Sequence, residues 1–464
     1  MQTAELKKLL ERIHTRLDES MVGISELVAD MPAADLVDLI SQLTLAEAAT
    51  VVSMLPVPRT VEIFDQATMR RRAAILEQLE PARAAEILTG LSADERTDVV
   101  QRMGYHDRFR ILPKLEGEVR KELEGLLQYP PHTAGGIMTT EFVRLAPTMS
   151  VGDALKHIRS VAWEKESVYA CYVMDPVTGS LLGALSLRDL VMGEFDTPVT
   201  EVMRQKPITV EALEDQEDVA RKISKYNLLA VPVLETDGSV VGFVTVDDVV
   251  DVLIEEGTED ILRMAAVEPG ALEQPYMQVS LPRMIRKRAG WLVILFLGEM
   301  LTATAMGFFE KEIAKAVVLA LFVPLIISSG GNSGSQASTL VIRALALGEV
   351  TVRDWWRVMR REIFSGLGLG IILGAIGFLR ITVWSMFSQI YGPHWMMVAT
   401  TVGLALVGIV LWGTLAGSML PFVLRRLGFD PATSSAPFVA TLVDVTGLII
   451  YFTVAVMILR GTLL

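Results

Sequence analysis

Apolar positions are distributed very differently in the two halves of the chain. After Arg288 they form five long, nearly uninterrupted stretches, which run roughly over residues 291–309, 316–347, 363–386, 395–424 and 436–459. A helix needs about 20 apolar residues to cross the hydrocarbon core of a bilayer. The stretches also lack the polar face of a helix that packs in a soluble core. We therefore predict a multidomain membrane protein whose residues 289–464 form an all-α transmembrane domain of five helices.

The first 129 residues show helical periodicity only. Short apolar-striped units such as AADLVDLISQL, MRRRAAILEQL and ARAAEILTGL follow one another at intervals of about 11–13 residues. Prolines fall where these helices would start or turn, which are positions that tolerate proline. The pattern predicts a superhelical α-helical N-domain over 1–129, which ends at the Tyr-Pro-Pro sequence of residues 129–131.

Residues 132–265 change to mixed strand and helix patterns, and the mixture occurs twice. Each copy has a helix, a strand, a turn, a second strand and an acidic helix start, and the two helices begin near 151 and 219. A Thr-Gly and an Asp-Gly pair mark the turns between the strands. The sequence thus predicts a duplicated α/β domain, followed by a connecting helix region over 266–288.

Charge separates the same halves. Residues 281–464 hold 15 Lys/Arg and 8 Asp/Glu out of 42 and 55 in the chain, so the first part is strongly acidic. This acidity excludes a basic nucleic-acid-binding protein. The single cysteine, Cys171, excludes a disulfide-stapled secreted protein. The charged amphipathic start, MQTAELKKLLERIH, has no apolar core, so we expect no signal peptide.

Basic residues near the ends of the apolar stretches predict the orientation. Eleven Lys/Arg lie on one side and four on the other. Because the cytosolic side carries the excess of Lys and Arg, we expect a cytosolic N-terminus and an outside C-terminus. The predicted location is the cell membrane (inner or plasma membrane), with several passes.

The fifth apolar stretch contains one acidic residue, Asp444. A carboxylate at the bilayer centre costs about 2.5–3.5 kcal/mol even on the lenient insertion scale, so it normally faces a water-filled path. The carbonyl of Ala440, one helical turn earlier, could orient a water there. The alternative is an ion pair between Asp444 and a basic residue on another helix.

The second stretch holds a polar, glycine-rich run over 328–336. We expect this run to unwind the helix or to expose its backbone, which a membrane tolerates only inside protein or beside water. Its candidate path-lining or packing residues are Ser329, Gly330, Gly331, Asn332 and Gln336. A packing break without ion contact is the alternative, whereas a phosphate loop is disfavoured because its Gly-Lys-Ser/Thr ending is missing.

Gly366, Gly370 and Gly374 repeat every four residues in the third stretch. Such a repeat forms a groove in which another helix backbone can approach closely. Five helices are few for a hydrophilic path, so we expect a homodimer with ten in the lipid bilayer. We place these glycines in its tight helix contacts.

Acidic residues crowd the segment 247–260. Like charges three or four residues apart destabilise a helix by about 0.2–0.5 kcal/mol per pair, and no basic residue follows in this segment until Arg263. The face is therefore either solvated or neutralised by cations. Six of these acids lie on or beside one face of a predicted helix: Asp248, Asp251, Glu255, Glu256, Glu259 and Asp260.

The duplicated unit resembles a pair of cystathionine-β-synthase (CBS) domains. The whole domain order, with PLIISSGGNSGSQ at 324–336 and TLVDVTG at 441–447, resembles the MgtE family of magnesium channels and transporters. The resemblance implies a Mg²⁺-selective channel or transporter for magnesium uptake, not an enzyme, with Asp444 as its pore carboxylate. Mg²⁺ prefers oxygen ligands and keeps several waters, which suits a site with few carboxylates.

The resemblance also implies regulatory magnesium on the cytosolic side, which closes the pore. Asn227 stands where some members carry an acid, so one of these sites is expected to be weaker. CBS pairs often bind adenine nucleotides, and Arg188 could contact the phosphates of ATP, although a plain surface role is the stronger alternative. The positions matched are Asp215, Glu217, Asp248, Asp251, Glu256, Glu259 and Asp260, and we add Glu255 with Asp94 and Asp98 of the N-domain.

Two other function classes stay open from the sequence. A membrane-embedded enzyme would need at least two convergent reactive groups in the spans, but these lack a His-Glu-x-x-His or Ser-His-Asp set, and His394 is the only histidine after residue 157. A receptor without transport would leave Asp444 unexplained.

Overall fold

The structure is a computed structural model of the chain. It describes residues 9–15, 24–66, 69, 71–165, 167–268, 276 and 279–463. These residues fall into two compact units, the first up to Glu256 and the second from Gly257 onward. We describe each unit by itself.

The first unit begins with a stack of short helices. Most of them start on a single register of twelve residues, at 33, 45, 57, 81, 93, 105 and 117. Leucine, isoleucine and valine side chains at the repeated positions are almost completely buried and form one continuous core. The helices are α1 Ile24–Val28, α2 Ala33–Gln42, α3 Leu45–Met54, α4 Val57–Phe64, α5 Arg72–Gln78, α6 Pro81–Gly90, α7 Ala93–Arg102, α8 Tyr105–Ile111 and α9 Gly117–Leu126.

An arginine ladder runs along this stack on the same register. Arg59, Arg71 and Arg83 each donate to a backbone carbonyl 28 residues earlier, and the Arg71 Nη1 to Leu43 O distance is 2.8 Å. Carbonyls at helix ends have no partner within their own helix, so these guanidinium groups satisfy them. Glu95 occupies the next position of the register and interrupts the ladder.

Two three-stranded sheets of identical order follow. In each sheet the first strand pairs in parallel with the second, and the second pairs antiparallel with the third. The rings of Phe142, Tyr172 and Phe243 pack edge-to-face or tilted at centroid distances of 5.8–6.2 Å and join the two halves. The strands are β1 Val143–Leu145, β2 Ala170–Met174, β3 Leu181–Ser186, β4 Val210–Glu211, β5 Ala230–Leu234 and β6 Val240–Thr245.

The helices of the duplicated domain confirm the predicted duplication. The helix that follows β6 is long, and it carries the acidic segment and continues into the second unit. These helices are α10 Val151–Val161, α11 Leu187–Met192, α12 Val199–Val202, α13 Gln216–Tyr226 and α14 Val246–Met264.

The second unit contains five helices that are long and apolar enough to cross a membrane. The predicted number of spans is thereby confirmed by length and composition. The unit's helices are α15 Leu281–Phe308, α16 Glu310–Lys315, α17 Val323–Ala346, α18 Trp355–Ser385, α19 Trp395–Arg426 and α20 Ala436–Leu459.

The polar run of the second span does not unwind the helix, so that part of the prediction is wrong. α17 continues through residues 328–336, and the irregular part is a 3₁₀ segment before it, Val317–Phe322. The glycines serve close packing instead, because a Cβ on Gly334 would lie 2.8 Å from the carbonyl oxygen of Gly413 on α19. Ser333 Oγ and Thr414 Oγ1 form a hydrogen bond of 2.6 Å across the same crossing.

The predicted glycine groove in the third span is confirmed, and a helix of the same chain fills it. A Cβ on Gly370 would lie 2.9 Å from the backbone of Val407 in α19, and one on Gly374 would lie 2.6 Å from Gly403 O. Gly366 meets Thr414 and Leu411 in the same way. These glycines therefore hold α18 against α19 within the same chain.

The connecting region differs from its predicted form where the structure describes it. Residues 281–288 are the first turns of α15, continuous with the first span, and not a separate helix. Residues 269–275 and 277–278 of the predicted connecting helix lie outside the described residues.

Candidate cation sites

The membrane site is formed where α17 and α20 cross. Ser435 caps the start of α20, accepting a hydrogen bond from the backbone N–H of Phe438 at 3.3 Å. A Cβ on Gly331 would lie 3.3 Å from Ala440 Cβ and 3.6 Å from Asp444 Oδ1. The structure thus brings together three of the predicted membrane residues, and the glycine leaves room beside the carboxylate.

The other members of the polar run are arranged around this crossing. Gly330 packs against Ile409 and Val443, while Asn332 and Gln336 are exposed. Ser329 Oγ donates to Leu325 O at 2.7 Å and therefore satisfies its own helix. Gly331 therefore faces the carboxylate, and the exposed residues Ser328, Asn332 and Gln336, spaced four apart, form a polar strip on α17.

Another acid acts on Asp444. Glu299 of α15 interacts electrostatically with it, and α15 reaches α20 at Gly298, where a Cβ would lie 2.9 Å from Thr441 Cγ2. Among the described residues, no Lys or Arg forms an ion pair with Asp444. The alternative of a buried ion pair for Asp444 therefore finds no support.

Hydroxyl groups that the sequence reading did not single out fix the start of α20. Ser338 Oγ donates to Ser434 O at 2.9 Å, and Ser335 Oγ donates to Ala436 O at 3.1 Å. Both serines lie on α17, so the two helices that carry Gly331 and Asp444 are held in register by these bonds.

The candidate site in the first unit centres on two carboxyl groups in contact. Asp94, in the first turn of α7, is only 7% exposed, and its Oδ1 has no hydrogen-bond partner among the described residues. Its side chain shares a hydrogen bond with Asp248, and burial raises the pKa of Asp94. Asp248 also caps α14, accepting from the backbone N–H of Thr245 at 3.1 Å. Two carboxyl groups in contact need a proton or a cation between them.

An arginine of the N-domain lies beside this pair. Arg72 forms ion pairs with Glu95 and, at 3.3 Å, with Asp98, and it donates to Phe64 O at 2.7 Å. Burial raises the pKa of Glu95 to about 8, and Arg72 offsets part of that rise. Burial also raises the pKa of Asp65 to about 6, to which the charge of Asp94 adds.

A second arginine reaches the acidic face of α14. Arg102 contacts Asp98 at 2.7 Å and Glu255 at 3.5 Å, and so connects α7 to α14. Burial raises the pKa of Asp251, which Arg72 partly opposes. The acidic segment itself has no basic residue before Arg263, but Arg72 and Arg102, which are distant in sequence, supply two guanidinium groups to this face.

The acids around the second CBS unit form a separate group. Asp215 caps α13 by accepting from the backbone N–H of Glu217 at 2.8 Å, and Glu217 pairs with Arg221 at 2.9 Å. Gln216 donates to Glu256 Oε1 at 2.6 Å, which ties α13 to α14. Asp215 and Glu217 thus have structural partners of their own.

The last two predicted regulatory acids, Glu259 and Asp260, belong to the second unit. Glu259 pairs with Arg263 one turn later in α14. Among the described residues, no group of three or more His, Cys, Asp or Glu side chains is preformed as a metal cage. Four of the predicted acids pair with arginines, namely Asp98, Glu217, Glu255 and Glu259, whereas Asp94 contacts another carboxyl group, that of Asp248.

A cleft of about 380 Å³ lies between the two halves of the duplicated domain. Its polar lining comes from Ser180, Gln205, Lys206 and Thr209, and Lys206 adopts a left-handed conformation with φ of 74°. Arg188 is exposed and does not line this cleft. Lys206 is thus the basic residue placed to meet an anionic group there.

Family models match most of the chain. A model described as a divalent cation transporter, MgtE, matches residues 323–454. The MgtE intracellular N domain model matches residues 31–132, and the CBS domain model matches 134–193 and 199–255.

Curated relatives cover the domains together. The magnesium transporter MgtE of Thermus thermophilus is 40% identical over 371 residues, which are 79% of this chain and 80% of that protein. The magnesium transporter MgtE of Enterococcus faecalis is 36% identical over 341 residues, or 73% and 72% of the two chains. A crystal structure described as the cytosolic domain of the Mg²⁺ channel MgtE in complex with ATP is 33% identical and covers 52% of this chain and 99% of its own, with a TM-score of 0.48. With two relatives above 30% identity over more than two thirds of their length, the chain belongs to the MgtE family of divalent cation transporters.

Proposed function

We propose that the protein transports Mg²⁺ across the cell membrane into the cytosol and that cytosolic Mg²⁺ closes it. The observation that carries the proposal is Asp444, a carboxylate in the middle of an apolar span with a glycine opposite and no basic partner among the described residues. The relatives named as magnesium transporters identify the ion.

Asp444 would attract the Mg²⁺ ion without removing most of its water ligands. Mg²⁺ gives up its waters reluctantly and is bound through one or two carboxylates, with the remaining positions held by water. A Cβ on Gly331 would lie 3.6 Å from Asp444 Oδ1, so glycine at this position keeps side-chain atoms of α17 off the carboxylate that would bind the ion. In a homodimer, two copies of Asp444 would face one ion, with Ala440 and the polar strip of α17 beside the path.

The regulatory sites of this proposal lie among the cytosolic acids. The unpartnered, buried Oδ1 of Asp94 fits an oxygen-preferring cation, as does the adjacent Asp248. A ligand shifts an equilibrium only by its differential affinity for the two states, so Mg²⁺ would favour the arrangement that brings these acids together. Arg72 and Arg102 already neutralise part of the charge, so only the acids that they leave unneutralised require metal.

Three further features complete the proposal. The acidic domains face the cytosol and the C-terminus lies outside, because the Lys/Arg excess marks the cytosolic side. The protein acts as a homodimer and performs no enzymatic reaction. ATP binds in the cleft between the CBS halves, where Lys206 and not Arg188 meets the phosphates.

Flux into proteoliposomes tests the proposal directly. The purified protein should admit Mg²⁺ down its gradient, and millimolar Mg²⁺ on the cytosolic face should reduce the flux. Vesicles carrying Glu312→Gln, an acid on the short helix after the first span, serve as the matched control for Asp444→Asn. Absence of flux from the parent protein would contradict the transport function, and flux that ignores cytosolic Mg²⁺ would contradict only the gating.

A further inference from the structure

The end of α14 makes a charged contact with the turn that precedes the last span. Arg263, in the last turn of α14, forms ion pairs with Glu259 of its own helix and with Asp430. All three side chains are between 24% and 32% exposed, so the contact is partly shielded from water. Both partners belong to the second unit.

Asp430 uses its two carboxylate oxygens for different purposes. Oδ1 accepts the backbone N–H of Ala432 at 2.7 Å and caps the 3₁₀ turn Pro431–Thr433. Oδ2 accepts from the Arg263 guanidinium. One side chain thus joins the end of α14 to the local structure of this turn.

The turn itself is firmly connected to the transport site. Ser434 and Ser435 are completely buried, and Ser434 is held to α17 by the hydroxyl of Ser338. Ser435 caps α20, and Asp444 lies in the same helix about 13 Å further along its axis. A displacement of Asp430 would therefore act on the start of the helix that carries Asp444.

A second ion pair connects the residues just after α14 to the membrane unit. Lys287 Nζ contacts Glu268 Oε1 at 2.9 Å, and the backbone N–H of Glu268 donates to Lys287 O at 3.4 Å. The segment following α14 thus returns to the first turns of α15, which keeps the end of α14 close to this unit.

Because α14 and the Asp430 turn both carry negative charge, their contact requires the positive charge of Arg263. α14 holds seven acids, and Arg263 is its only basic residue. Without the guanidinium, Glu259 and Asp430 would face each other as like charges, which repel. One arginine therefore converts a repulsive contact into an attractive one.

We propose that Arg263 is a built-in cation that holds α14 against the Asp430 turn, and that this contact closes the transport path in part before any Mg²⁺ binds. The inference rests on the gating half of the proposed function, because it specifies how the cytosolic acids are coupled to the span. Mg²⁺ at the other acids of α14 then completes closure and needs less binding energy to do so.

The test compares Arg263→Gln and Asp430→Asn with the parent, both alone and combined, by recording from patches with the cytosolic face exposed. Because a partly exposed ion pair is worth a modest free energy, we expect each variant to raise the half-closing Mg²⁺ concentration about fivefold. Open probability at zero Mg²⁺ should rise as well. The double variant should shift no further than either single one, as expected for two residues in one interaction.

Arg357→Gln is the matched control. Arg357 is 85% exposed and lies at the start of α18, so its loss removes one positive charge from the predicted cytosolic surface without touching α14. It should leave both the half-closing concentration and the zero-Mg²⁺ activity unchanged. Exchanging the charges, with Arg263→Asp and Asp430→Lys together, should recover part of the shift produced by Arg263→Asp alone.

Three results would overturn the inference. The first is that Arg263→Gln has the same half-closing Mg²⁺ concentration and the same open probability at zero Mg²⁺ as the parent. The second is a shift to lower Mg²⁺, which would mean that Glu259 and Asp430 bind the metal once the arginine is gone. The third is an equal shift in Arg357→Gln. If Mg²⁺ does not close the parent at all, the gating part of the proposed function is wrong. The open probability of Arg263→Gln at zero Mg²⁺ still tests whether the Arg263–Asp430 contact closes the path.

Discussion

The two candidate cation sites handle negative charge in opposite ways. In the membrane unit a single carboxylate, Asp444, is left without an arginine or lysine among the described residues, and its acidic neighbour Glu299 increases the negative charge. In the cytosolic unit a larger number of acids is interleaved with Arg72 and Arg102. This difference is consistent with the two proposed roles. A guanidinium fixed beside Asp444 would occupy the position that a transported cation needs, whereas arginines among the acids of the first unit reduce the repulsion between those acids.

The largest expected effect comes from removing the membrane carboxylate. Asp444→Ala should abolish Mg²⁺ flux while leaving membrane insertion intact, since the substitution removes the cost of a buried charge. Asp444→Asn keeps the shape and loses the charge that attracts a divalent cation. Flux assays on reconstituted protein with matched expression levels measure this, and parent-like flux in either variant would remove Asp444 from the path.

The next effect concerns gating alone. Neutralising Asp248, Asp251 and Glu259 with the corresponding amides should abolish Mg²⁺-dependent protection of residues 94–130 and 246–265 from protease. Amides at Asp248 and Asp251 cannot bridge two elements through a divalent cation, and an amide at Glu259 loses the ion pair with Arg263. We therefore expect a path that no longer closes fully with Mg²⁺, with open conductance unchanged.

The control for that triple variant removes the same charge elsewhere. Glu116→Gln, Glu118→Gln and Glu194→Gln together neutralise three exposed acids outside the cluster. If the cluster variant closes over the same Mg²⁺ range as this control, the acids of α14 are only a solvated face.

The glycine groove of α18 offers a sharper pair of variants. Gly370→Leu should destabilise the fold, because even a Cβ would lie 2.9 Å from the Val407 backbone, and overpacking typically costs about 1–3 kcal/mol. Gly368→Leu, on the same helix, meets nothing within 4 Å and should be tolerated. Thermal stability and size-exclusion profiles in detergent would compare them. Equal behaviour of the two variants would disprove the packing interpretation.

The smallest expected effect is a pH dependence of the cytosolic unit in the absence of Mg²⁺. The pKa of Glu95 is raised from 4.5 to about 8, so its folded state favours the protonated form. That contribution to stability is fully present below pH 4.5 and is lost as the pH rises through about 8. A loss of about 1 kcal/mol would lower the Tm by about 2–4 °C in a unit of this size. Glu95→Gln should flatten the profile between pH 5 and pH 8, and an unchanged slope would contradict the assignment to Glu95.

Local patterns predicted the elements well, because each depends on neighbours in sequence. The twelve-residue register, the duplicated α/β domain and the five spans all follow from apolar periodicity or length. The arginines at the cytosolic acids could not be predicted in this way. Arg72 lies 23 residues from Glu95, and Arg102 lies far from Glu255 in sequence, so only the folded stack brings them together.

The polar run of α17 shows the opposite failure. Glycine and serine lower helix propensity in water, and that argument predicted an unwound segment over 328–336. In the structure the same small residues let α17 approach α19 and α20 closely, and the serine hydroxyls bond to carbonyls of their own or adjacent segments. Tertiary packing therefore outweighed local propensity. Sequence spacing alone could not predict that Gly331 would face the carboxylate of Asp444.

The arginine ladder of the N-domain has a consequence for how this domain can change in length. Each rung connects one helix to the end of an earlier helix at a fixed interval of 28 residues, so a twelve-residue unit that carries its own arginine can be added while the pattern of rungs is kept. Such an insertion before Arg59 leaves the number of residues between Glu95 and α14 unchanged. An insertion between Glu95 and the first sheet would instead carry the acids away from α14. The repeat therefore allows the N-terminal end of the domain to vary in length. The C-terminal end, which carries the acids that contact α14, cannot vary in this way.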